Sequence, residues 1–160
     1  MKKTRIFAAV FGANLLFVFF NAAISWALAF FNITPYGRFV AAFFRGRTRE
    51  ETAARIESDR ALFGSMLAEA STFANLFLTP ASGFVMGLFA GAMLAEKSRL
   101  AAIWSIFAAL PLSLFFLVKS GGGHERFLYL ILFIAMTALG GLAGSAIFGK
   151  KKKETADVDV

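Results

Sequence analysis

The feature that most restricts this chain is an uncharged, strongly apolar run over residues 6–31. As an α-helix its 26 residues would reach about 39 Å, enough to cross a hydrocarbon core about 30 Å thick with some tilt. Lys2, Lys3 and Arg5 form a short basic lead. A secretory signal peptide is the competing reading, because Ala27, Leu28 and Ala29 resemble a small-x-small cleavage site. Such peptides carry an apolar region of about 7–15 residues. This run is longer and more apolar runs follow, so it is read as an uncleaved first transmembrane helix.

Three further apolar runs occupy residues 72–95, 100–118 and 127–148, which gives four spans. Their length and their lack of strict alternation favour helices over a β-barrel, because lipid leaves no backbone group unpaired. Composition agrees. The 160 residues are 58% hydrophobic and 17% charged, against about 45–50% and about 25% in soluble domains. The 21 phenylalanines would all have to be hidden in a water-facing fold. Pro80 and Pro111 fall inside the second and third spans. Each removes a backbone donor and crowds the preceding turn, which predicts a kink at both.

The segment between the first two spans differs in character. Residues 32–37 read as a helix stop and turn. Arg38, Phe39, Val40, Phe43, Phe44 and Arg45 then mix aromatic and basic residues, a pattern suited to a helix lying in the membrane interface. Thr48 and Glu51 have the spacing of a capping box. Ala53, Ile56, Phe63, Met66 or Leu67, and Ala70 recur at helical steps. One amphipathic helix over residues 49–70, running into the second span, is therefore expected, and the whole of 38–70 is read as an amphipathic helical segment. The fold class is an all-α polytopic membrane protein: four transmembrane helices plus this segment. Residues 1–149 form a single membrane domain, and 150–160 a basic, then acidic, disordered tail.

Four spans put both termini on one side, together with nine basic residues; the other side holds eight. That margin is small. Lys150–Lys153 and the basic lead sit directly at helix ends, where the positive-inside rule acts most strongly, so both termini are assigned to the cytoplasmic face of a plasma or inner membrane. The net charge of +7 is spread between apolar runs, which favours membrane-edge anchors over a nucleic-acid surface.

Small residues form rows. Gly83, Gly87 and Gly91 are spaced four apart in the second span, and Gly140 and Gly144 in the fourth, flanked by Gly141, Ser145 and Gly149. Such rows let two helix backbones approach closely in lipid. They predict packing of the second span on the fourth or, for at least one row, on another membrane chain. Asn14, Asn21 and Asn75 lie deepest among the polar groups, and amides there are expected to bond across helices; a polar pathway is the sharper alternative. Glu69 is the one acid near membrane depth, and an interfacial position is the simpler reading.

The single histidine, His124, reads as a loop residue. Without Cys, a disulfide, a thiolate nucleophile or a Cys-ligated metal is excluded. No nucleophile elbow, phosphate-binding loop, dinucleotide fingerprint, HExxH or paired intramembrane carboxylates appear. The expectation is a non-enzymatic protein without a cofactor. Its partners would be membrane lipid and other membrane chains, in a homo- or hetero-oligomer, and not nucleic acid. The leading function is an accessory or scaffold subunit of a larger membrane assembly. An oligomeric small transporter or channel is the alternative, and lipid binding by the arginine-rich loop a third.

Overall fold

A computed structural model describes residues 3–94, 98–120 and 124–156. It is 92% helical, with no strand among the described residues. Seven α-helices follow in order: α1 (Lys3–Phe30), α2 (Pro35–Phe43), α3 (Arg49–Ser58), α4 (Arg60–Phe73), α5 (Thr79–Met93), α6 (Ser98–Ser120) and α7 (His124–Ala156). A π-helical segment, Ala74–Leu78, joins α4 to α5. Three stretches are long and apolar enough to cross a membrane: Thr4–Phe30, Arg60–Met93 and Glu125–Gly149. A fourth apolar helix, Arg99–Phe115, is shorter. Large apolar side chains such as Phe7, Phe11, Phe19, Trp26 and Ile131 are exposed on the membrane-length helices. A solvated monomer rarely tolerates contiguous apolar surface on this scale, whereas a lipid-facing helix requires it.

The chain divides into two compact units, one of Met1–Phe20 with Thr79–Val160 and the other of Asn21–Leu78.

In the first unit, α5 and α7 lie side by side, and their register runs in parallel. Gly83 faces Phe133 and Thr137, Gly87 faces Thr137, and Gly91 faces Gly141. The returning helix is α6, which meets Gly141 through Ala101 and Ser105. The start of α1 lies at the end of α5, where Arg5 Nε donates to the Met93 carbonyl at 2.8 Å. That carbonyl belongs to the last turn of α5, whose acceptors have no intrahelical donor and favour a cation. The core of this unit is small and sparse: Ala13, Phe17, Met86, Ala90, Ala108, Ala109 and Phe133. Phe17 meets Phe133 edge-on at 5.5 Å between centroids.

In the second unit, α2 starts where a turn was expected. Thr34 is its N-cap and accepts from the Gly37 amide at 3.0 Å, and Pro35 occupies the first helical turn. Proline suits that place because its missing N–H would have been unpaired there. Gly37 is buried in the same turn, and a Cβ on it would overlap the Leu28 and Phe31 carbonyls at the end of α1. The left-handed Gly46, at φ 71°, turns the chain between α2 and α3. The capping box opens α3 as expected: Thr48 Oγ1 accepts from Glu51 N at 3.2 Å, and Glu51 Oε2 accepts from Thr48 N at 2.8 Å.

The single helix expected over 49–70 is instead two, α3 and α4, broken at Asp59, whose backbone leaves the helical region at φ −132°, ψ 50°. Asp59 forms an ion pair with Arg55, which anchors the bend without a side-chain cap. Phe39 and Phe43 are not left for lipid. They pack with Phe63 of α4, at 5.5 and 5.1 Å between centroids, in a core completed by Ala70. Ile56, Phe63 and Met66 border this core, while Ala53 and Leu67 are exposed.

Pro80 carries the irregularity it predicted, in the form of the π-helical turns immediately before it. Widening that turn makes room for a ring that would otherwise strike the carbonyl four residues back. The backbone of α6 passes Pro111 without interruption. The loop expected around His124 contracts, since α6 continues to Ser120 and α7 begins at His124; residues 121–123 lie outside the described residues. Helix α7 also continues beyond its apolar part, its bounds being His124–Ala156; residues 157–160 of the tail lie outside the described residues.

Candidate functional site

The glycine rows come together inside the first unit. A Cβ on Gly87 would overlap the Thr137 carbonyl oxygen, and one on Gly91 the carbonyl oxygen of Gly141. From the other helix, Cβ atoms on Gly140 and Gly144 would overlap the Phe84 and Leu88 carbonyls. Gly83 has Phe133 ring carbons at 2.6 and 2.7 Å and Thr137 Oγ1 at 2.8 Å from where its Cβ would stand. Two backbones therefore touch along two turns of each helix, an approach only residues without a Cβ permit. Gly141 adds a second contact, to the Ser105 hydroxyl of α6. Ser145, buried next in that row, donates to Leu142 O at 2.9 Å. The two rows meet each other within the chain.

The deep polar groups divide. Asn14 Nδ2 donates to Ala108 O on α6 at 2.6 Å and to Val10 O on its own helix at 2.8 Å. The Ala108 carbonyl lies three residues before Pro111, in the turn whose ladder the proline interrupts. The cross-helix amide bond expected of Asn14 is thus present. Asn75 instead bonds within its own helix, Nδ2 to Ser71 Oγ at 3.5 Å. Asn21 is half-buried on α1, two turns beyond Asn14. Glu69 lies exposed on α4.

The buried hydroxyls turn back onto their own helices: Ser105 to Ala101 O at 2.6 Å and Thr137 to Phe133 O at 2.8 Å. The Ser113 hydroxyl is buried without a hydrogen-bond partner among the described residues. No cluster of His, Asp and Glu that could hold a metal ion occurs among the described residues.

The most polar element is the charged helix α3, whose start was expected and whose separation from α4 at Asp59 was not. None of its residues is buried, yet it is capped at its start and bound by ion pairs at its end, Arg55 with Asp59 and Glu57 with Arg60 of α4. The Arg55 guanidinium also lies 5.8 Å from the centre of the Phe43 ring. The signal for it was available in Thr48–Glu51 and in the dense alternation of charge that follows.

These features define an all-helical protein with three helices long and apolar enough to span a membrane, held in part by a glycine seam. No family model matches the chain, and neither a curated protein nor a solved structure is similar to it.

Proposed function

We propose that the chain is a four-pass integral membrane protein that serves as a non-catalytic accessory or scaffold subunit. The observation that carries this reading is α3, an ordered helix with no fully buried residue, which meets the aromatic core of its own chain through the half-buried Ile56. A helix that is mostly polar contributes little to a core; its defined ends give it a fixed, charged surface to present to a partner. The glycine rows meet each other within the chain, and α3 with its flanks is the proposed docking surface. Crosslinking from α3 positions in native membranes, followed by purification in mild detergent, tests this. A discrete adduct with a second membrane protein is expected, and a chain that always runs as a lone, uncrosslinked monomer overturns it.

Four crossings are supported by the parallel register of α5 and α7. To leave the end of α5 and enter the start of a parallel neighbour, the chain must travel the length of the pair. The 23 residues of α6 reach about 35 Å, enough for the core. Both termini then share a side, and Glu69 lies 24 residues before Met93, beyond the ~20 that a crossing needs, which fits an interfacial acid. Arg55 of α3 and Arg60 of α4 are ion-paired with neighbouring acids. Lysines directly at the helix end, residues 150–153, favour cytoplasmic termini. Because the chain has no native Cys, single cysteines at positions 97, 122 and 151 report sidedness directly. Labelling of 122 from the face opposite to the other two is expected.

The reading as an oligomeric transporter or channel keeps one observation in its favour, the π-helical segment before Pro80, since such turns frequently mark functional sites. A liposome flux assay separates the two readings: solute movement in the native chain that Asn75→Leu abolishes would favour transport.

A further inference from the structure

The helix registers of the first unit bring one class of charge to one end of the bundle. Arg5 on Met93 sets the start of α1 beside the end of α5. The parallel pairing sets the end of α7 at that same end, and α6 begins there, five residues after Met93. The helix ends that converge therefore carry Lys3, Arg5, Arg99 and Lys150, Lys151, Lys152 and Lys153 on described backbone, against Glu154. At the opposite end of this unit the same helices carry Lys119, Glu125 and Arg126 as their charged residues. The bundle is strongly basic at one end and nearly balanced at the other.

The length of α7 places that charge. Its apolar part, Glu125–Gly149, has 25 residues, about 37 Å of helix, which ends at headgroup depth in a bilayer about 40–45 Å thick overall. The helix does not stop there but continues to Ala156. Residues 150–153, four successive positions at about 100° per residue, fall on all sides of the helix axis and not on one stripe. Arg5 is committed to Met93, and Arg55 of α3 and Arg60 of α4 to acids. At this end of α7 a single acid, Glu154, follows four lysines.

We infer that this end of the bundle, centred on Lys150–Lys153 with Lys3 and Arg99, is a binding collar for the headgroups of anionic phospholipids. Phosphate at headgroup depth meets clustered ammonium groups where the dielectric is lower than in bulk water, and juxtamembrane lysines draw anionic lipid in this way. The inference does not depend on a protein partner.

The test uses the full chain reconstituted in phosphatidylcholine bilayers doped with spin-labelled phosphatidylglycerol or spin-labelled phosphatidylcholine. The chain is expected to hold phosphatidylglycerol roughly two- to fivefold more strongly at low salt, the upper figure being the effect of about one surface lysine, and to lose that preference as salt screens it. Replacing Lys150–Lys153 together by Gln is expected to abolish the preference, and replacing them by Arg to keep it. Replacing Arg49, Arg55 and Arg60 by Gln is expected to leave it unchanged. Equal retention of the two lipids by the native chain, or a preference that survives the Gln replacement, overturns the inference. So does a preference lost in the arginine variant. Helicity by circular dichroism accompanies each variant. If the Gln variant does not fold, the salt titration of the native chain decides, and a preference insensitive to salt overturns the inference.

Discussion

The two units solve the same packing problem with opposite materials. In the α5–α7 seam the side chains are withdrawn and backbone meets backbone, through Gly83, Gly87, Gly91, Gly140 and Gly144. In the α2–α4 unit the contact is made by large rings, Phe39, Phe43 and Phe63, and the helix starts are fixed by Thr34 and Thr48. The contrast follows from the solvent each arrangement suits. Between helices in lipid there is no hydrophobic drive, so close approach is where attraction is gained. Aromatic cores and side-chain caps work where apolar surface leaves water and helix ends are wet. The seam has the packing that suits helices in an apolar surrounding, and the aromatic unit the packing and caps that suit a wet one.

Two substitutions break the comparison most strongly. Phe43 is fully buried, and Phe43→Ala empties the centre of the aromatic unit. It is expected to cost about 3–5 kcal/mol, read as loss of amide protection in α2 and α4 by hydrogen exchange, with α5–α7 protected as before. Gly87→Ala adds one methyl group to the seam, opposite the Thr137 carbonyl. Because rigid backbone stands on both sides, the added carbon forces the helices apart, at about 1–3 kcal/mol. Thermal unfolding in detergent should show it, and a variant as stable as the native chain would contradict the seam.

How much of this was readable from the sequence follows the range of the forces involved. The apolar runs and the capping box are local: hydropathy alone marks the membrane-length helices, and Thr48 and Glu51 recognise each other three residues apart. The glycine rows were visible as rows, but not the parallel register that joins them, which depends on how three helices fit at once. The break at Asp59 was masked because the apolar spacing from Ile56 to Phe63 continues across it and no Gly or Pro stands there. Asp59 has the chemistry of an N-cap but spends its carboxylate on Arg55. The helix stop and turn expected over residues 32–37 is present at 31–34, but Pro35 and Gly37, which both punctuate chains, belong to α2. Their actual reasons are a helix start, for Pro35, and a tertiary approach to the Leu28 and Phe31 carbonyls, for Gly37. The absent cross-helix bond of Asn75 has the same origin, since spacing gives the face of a residue but not its neighbour.

A smaller effect sharpens the comparison on the lipid side. Asn14→Leu removes the bond to Ala108 O beside Pro111 and leaves shape nearly intact. Interhelical hydrogen bonds in bilayers average about 0.6 kcal/mol and reach about 1.7, so a loss near 1 kcal/mol in the unfolding free energy is expected. Asn75→Leu, which touches only a long bond within its own helix, should change stability less than Asn14→Leu; the reverse order would mean that Asn75 engages a partner.

The smallest effect has the opposite sign and asks whether glycine itself, or its setting, distinguishes the two units. Gly64 lies inside α4, and a Cβ there would have nothing within 4 Å. No left-handed φ is required of it. Glycine in such a place confers no packing and leaves the unfolded chain freer, so Gly64→Ala should stabilise α4 by about 0.5–1 kcal/mol. The same methyl group that pries apart the seam at Gly87 should thus tighten the aromatic unit at Gly64. Measured side by side by thermal unfolding and hydrogen exchange, the pair isolates backbone proximity as the cause. If both substitutions stabilised, α5 and α7 would not be in backbone contact; if both destabilised, α4 would carry an unseen neighbour against Gly64.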